Sequence, residues 1–170
     1  MNISGGKEIA AISCAPLDST KNFSPFVAVS FWESNTIQLL NVKDPETPLL
    51  PHSTSASLPA LPHSLLLHNF GTGRNLQDAD FQPYVVAGLA DGTVACLSFR
   101  NNSNELKDQK LFSLGTAPVS LTVTEIDGKR AVFATGSRAA VFYWDKQRLR
   151  QSPVMVKVCR RSCPVPQGLS

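Results

Sequence analysis

Apolar and polar positions mark out the same unit in three places along the chain: a strand, a tight turn and a second strand. Tyr84 to Phe99, YVVAGLADGTVACLSF, is the clearest copy. Val85, Ala87 and Leu89 fall on one face of the first strand and Val86 and Gly88 on the other, and Asp91-Gly92 supplies the positive φ that a tight hairpin turn needs. Phe26 to Val42, FVAVSFWESNTIQLLNV, repeats the unit with Glu33-Ser34-Asn35 in the turn. Ala131 to Trp144, AVFATGSRAAVFYW, repeats it with Ser137-Arg138-Ala139. Thr36 and Thr93 stand 57 residues apart, and Gly88 and Gly136 stand 48 apart. A lone hairpin buries too little to persist in water. A hairpin that recurs every ~40–50 residues is the mark of a propeller blade or a similar radial array. A β-sandwich with evenly spaced strands is the alternative. Recurrence of whole hairpins favours the propeller.

The remaining apolar runs complete the expected sheets. Strands are predicted at Ile9–Cys14, Ser64–Phe70, Lys110–Leu114, Pro118–Ile126 and Arg130–Thr135, with a further one at Val154–Val158. Asp127-Gly128 predicts a two-residue turn. Lys43 to Pro62 holds five of the chain's 12 prolines and reads as a long loop, with Leu49-Leu50 as a brief edge strand. Gly71 to Pro83 is a second loop. Its Gly71-Thr72-Gly73-Arg74 lacks the third glycine and the following helix of a phosphate-binding loop, so it reads as a plain connection. No amphipathic helix is visible.

Composition adds three points. A length of 170 residues suits one domain with a real core. The formal charge of +3 is unevenly spread: Lys146, Arg148, Arg150, Lys157, Arg160 and Arg161 all follow Asp145, leaving 10 Lys+Arg against 13 Asp+Glu before them. The body is mildly acidic, which argues against a broad phosphate-binding face, and the basic end reads as solvated chain. No apolar run approaches a membrane span, and the first residues do not open a signal peptide.

Candidate chemistry is sparse. Cys14 and Cys96 lie within predicted strands and read as small buried apolar residues, whereas Cys159 and Cys163 form a lone pair without further ligands for zinc. His52, His63 and His68 read as surface residues around the proline-rich loop, and Asp78 and Asp80 as solvated loop carboxylates. No nucleophile with a base and an orienting group is evident, so neither an enzyme nor a cofactor is expected.

Four stretches then carry a resemblance: Val27 to Leu40, Tyr84 to Phe99, Leu111 to Leu121 and Ala131 to Leu149. In this order they resemble the family of the large subunit of the UV-damaged-DNA-binding complex, the linker of cullin-4 ubiquitin ligases. That family also includes the large subunit of the cleavage and polyadenylation specificity factor and a splicing factor 3b subunit. The resemblance runs from about Glu8 to Pro153, and the Leu114-Gly115-Thr116-x-Pro118 step is shared across the relatives. It implies an all-β partial propeller: about three four-stranded antiparallel blades of an expected seven, from the second propeller of such a protein. Residues 1–158 are expected to form that array, with blades at about 9–62, 63–117 and 118–158, and 159–170 is expected to be a disordered or aberrant tail because the pattern stops after Lys157.

The resemblance implies a protein-interaction scaffold in DNA repair and substrate ubiquitination, nuclear and also cytoplasmic. Its implied partners are the cullin-4 N-terminal region and substrate receptors, with nucleic acid contacted only indirectly and no membrane. A nucleic-acid-binding scaffold of RNA processing is the alternative. Trp32 is the candidate partner-binding residue, and Phe31 beside it is expected to be the more buried of the two.

Overall fold

A computed structural model describes residues 8–18, 20–41, 58–74, 78–99 and 106–155. Eleven strands are present and, among these residues, no helix. The first sheet has the order β1-β2-β3 (Ile9–Ser13, Phe26–Phe31, Ile37–Asn41). The second is β4-β5-β6-β7 (Pro62–Asn69, Pro83–Leu89, Thr93–Phe99, Leu106–Ser113). The third is β8-β9-β10-β11 (Ser120–Ile126, Lys129–Thr135, Ala139–Asp145, Arg148–Val154). Every sheet is an antiparallel meander. The first strand of the central sheet, β4, lies against β1 on one side and β8 on the other, which gives the radial order of a partial β-propeller.

The faces separate as the alternation in β5 predicts. Val85, Ala87 and Leu89 enter a core shared with the first sheet, where Phe26, Ala28, Ile37 and Leu39 meet them. Val86 turns the other way, into a core with Val132, Ala134, Ala140 and Phe142 of the third sheet. The central sheet is therefore buried on both faces, and β5 is buried along its whole length. An apolar side chain also remains on the outward face of the first sheet, where Ile12, opposite Val29, is 58% exposed.

Backbone joins the blades through their turns. Leu114 N–H donates to Gly92 O (2.8 Å), Arg138 N–H to Leu114 O (2.9 Å) and Val119 N–H to Leu89 O (3.2 Å). Leu58 N–H donates in the same way to Asn35 O (3.0 Å). Leu58 to Pro62 thus repeats the step from Leu114 to Pro118, a repeat that the differing residues between them hide in the sequence.

Several elements depart from expectation. β1 closes at Ser13, whose Oγ accepts Leu67 N–H (2.9 Å), so Cys14 lies past the strand and is exposed. Cys96 is buried as expected, and burial pushes its thiol pKa up, so it stays protonated and inert. β7 begins at Leu106, earlier than its apolar half suggests. A strand that the sequence did not mark, β11, spans Arg148–Val154, and most of the one expected at Val154–Val158 lies outside the described residues. Lys146 (φ 47°) and Gln147 (φ 60°) make its turn without glycine, and its polar residues suit the outer edge of a sheet. Leu49-Leu50, His52, Cys159, Cys163 and the proposed tail lie outside the described residues.

Candidate interaction surface

Antiparallel meanders sort the connections to the two ends of the array. One end carries the turns that follow β2, β5 and β9: 32–36, 90–92 and 136–138. The other carries the connections that follow β1, β4 and β8: 14–25, 70–82 and 127–128.

Trp32 stands at the first end. Phe31, the last residue of β2, is 1% exposed and packs with Val29 and Leu40, while Trp32 is 48% exposed. Alternation places them on opposite sides, and the strand ends where the tryptophan leaves the sheet. Its backbone is fixed: Trp32 N–H donates to Glu8 O (3.1 Å), Ser34 N–H to Phe31 O (3.4 Å), and the Ser34 and Thr36 hydroxyls share a hydrogen bond (2.8 Å). An exposed aromatic on a pinned backbone loses little freedom when a partner covers it.

Ser137 organises the neighbouring turns. Its Oγ accepts both Thr116 N–H and Ala117 N–H (3.0 Å each), and it lies where any Cβ on Gly115 would go. Nothing in the sequence marked Ser137 for this part. Nor did anything mark Ser64, whose Oγ donates to Val119 O (2.6 Å) and ties β4 to the third sheet.

At the opposite end the Gly71–Arg74 loop spends its own amides internally. Gly71 N–H donates to Asn69 Oδ1 (3.0 Å) and Gly73 N–H to Asp80 O (3.2 Å). The Gly71 and Gly73 amides are thus turned inward, unlike those of a glycine-rich phosphate loop. Asp78 supports the Gly71–Arg74 loop by accepting Arg74 N–H on Oδ2 (2.8 Å). Thr20 donates from its hydroxyl and its backbone N–H to Asp18 Oδ1, and these bonds hold the Asp18 carboxyl below its usual range.

His68 is the histidine that the sequence placed wrongly. His63 is exposed, but His68 is 6% exposed within β4, edge-on to Phe70 at 4.6 Å. Its Nε2 has no hydrogen-bond partner. Burial, reinforced by the Arg130 charge, pushes its pKa down from 6.5 to about 4. The folded chain thus refuses a proton that the unfolded chain accepts. Stability is fully present above pH 6.5 and falls as the pH drops toward 4, by about 3 kcal/mol in all. His68→Phe is expected to flatten this part of the stability–pH curve in urea titrations. An unchanged curve would show that His68 takes up its proton as readily in the fold as in the unfolded chain.

Among the described residues no group of His, Cys, Asp and Glu side chains could hold a metal ion, and no helix is long and apolar enough to cross a membrane.

The chain matches the family model described as the RSE1/DDB1/CPSF1 second beta-propeller over residues 1–167. The chain belongs to this family. The match continues past Lys157, where the motifs read from the sequence stop. It is also similar to DNA damage-binding protein 1 of Oryza sativa subsp. japonica (27% identical over 157 residues) and of Drosophila melanogaster (28% over 156 residues), and to DNA damage-binding protein 1a of Arabidopsis thaliana (26% over 157 residues). Each alignment covers 92% of this chain, which spans 13% of the length of each of these relatives.

Proposed function

We propose that this member of the RSE1/DDB1/CPSF1 second-propeller family is a protein-interaction scaffold, and that its partner is the N-terminal region of a cullin-4. On this reading it acts in DNA repair and substrate ubiquitination in the nucleus and also the cytoplasm, as a non-enzymatic adaptor that meets substrate receptors through a longer assembly. The observation that carries it is Trp32: a large aromatic, half exposed, on a backbone held at both sides of the residue. Aromatics of this kind dominate interface energies when they fill a partner's pocket. The likeness to proteins named for binding damaged DNA supports the repair context.

Trp32→Ala is expected to weaken binding of a cullin-4 N-terminal segment by about 2 kcal/mol or more while leaving the melt nearly unchanged. Intact binding together with a collapsed melting temperature would show that Trp32 is structural and would withdraw the site.

A further inference from the structure

A second site lies at the end of the array away from Trp32. The 70–74 loop of the second sheet and residues 128–130 of the third flank a half-open recess of about 330 Å³. Its lining brings together Arg74, Lys129 and Arg130 with one carboxylate, Asp80, and two aromatic rings, Phe70 and Trp144. The volume falls at the lower end of small-molecule sites, which run from ~300 to ~1,000 Å³. The recess opens to solvent on one side, so a ligand's far end need not be enclosed.

The cations converge from different elements. Arg74 and Lys129 are exposed, and neither makes an ion pair among the described residues. Arg130 is anchored: its Nη1 donates to Leu17 O of the first sheet (3.3 Å), so the third sheet reaches across to the first. Behind the wall, His68 packs edge-on against Phe70. Its Nε2 is left unpartnered, so this end of the core already carries an unsatisfied polar group.

Three cations against one acid in a recess call for an anion of more than one charge. The Gly71, Gly73 and Arg74 amides are spent within the loop, so side chains carry the charge recognition. The indole of Trp144, partly exposed and propped against Tyr84 (6.0 Å between centroids), offers a face for a planar ring.

We propose that this cavity binds a free nucleoside polyphosphate, with Arg74, Lys129 and Arg130 on the phosphates and the base against Trp144. Asp80 accepts a ribose hydroxyl. The site goes beyond the scaffold reading and is independent of it, since Trp32 lies at the other end of the strands.

The test is calorimetric titration of the intact chain with ATP, inorganic triphosphate and adenosine, without divalent metal. ATP is expected to bind saturably and more tightly than triphosphate, to weaken as salt rises, and adenosine is expected not to bind. Lys129→Glu and Arg74→Glu are each expected to weaken ATP binding about tenfold or more with an unchanged melt. Absence of saturable ATP binding, triphosphate binding as tightly as ATP, or ATP affinity unchanged in both variants would overturn the proposal. Capture of a cullin-4 segment by the same variants, with the affinity of the parent chain, keeps this outcome separate from that of the scaffold reading.

Discussion

Gly92→Val is expected to destabilise the chain by about 3 kcal/mol or more. Two costs combine. Gly92 sits at φ +88°, where a β-branched residue is strained. A Cβ there would also run into the Gly115 carbonyl and lie 2.8 Å from Thr116 N. The turn cannot back away cheaply, because Gly92 O accepts Leu114 N–H in the joint between two blades. Gly128 separates the two costs. Its φ is +72°, yet nothing stands within 4 Å of a Cβ built there. Gly128→Val should therefore carry the strain without the collision and cost clearly less. Urea unfolding of both variants measures the difference, and equal losses would show that the contact with Gly115 relaxes.

Phe142→Ala is the second large effect. Phe142 is fully buried at the centre of β10, in the core between the second and third sheets. Its ring meets Phe112 edge-to-face at 5.1 Å between centroids. Removing it leaves a cavity flanked by Val132 and Ala134 on β9 and Leu149 on β11, and the sheet backbone cannot collapse into the space. The expected loss is about 3–5 kcal/mol in urea unfolding. A loss below about 1 kcal/mol would place the third sheet away from the second.

The blades were legible because their turns and faces obey local rules. Asp91-Gly92 demanded a hairpin, and alternation in Tyr84–Leu89 assigned each residue to one of two cores without knowledge of either. β11 was not legible. Arg148–Val154 has one buried apolar residue, Leu149, and is turned by Lys146-Gln147, which carry no sequence signal for positive φ. His68 was legible in principle: it alternates with Leu66 and Phe70, and that face packs on the third sheet. Proximity to the proline-rich loop suggested a surface residue and outweighed the periodicity. At the interaction end, that Phe31 and Trp32 take opposite faces follows from strand alternation, and Phe31 is the buried one of the two. The opposite cavity was hidden because Arg74 and Arg130 come from separate sheets, and the bond from Arg130 to Leu17 spans 113 residues with no local trace.

The scaffold claim is tested most directly by offering the purified chain, its strand content first verified by circular dichroism, a labelled cullin-4 N-terminal segment and, separately, RNA for ultraviolet crosslinking. The account predicts saturable capture of the segment and no RNA crosslink above that of an unrelated β protein. RNA crosslinking to the folded chain with no retention of the cullin segment would contradict it and move the chain to the RNA-processing branch of its family.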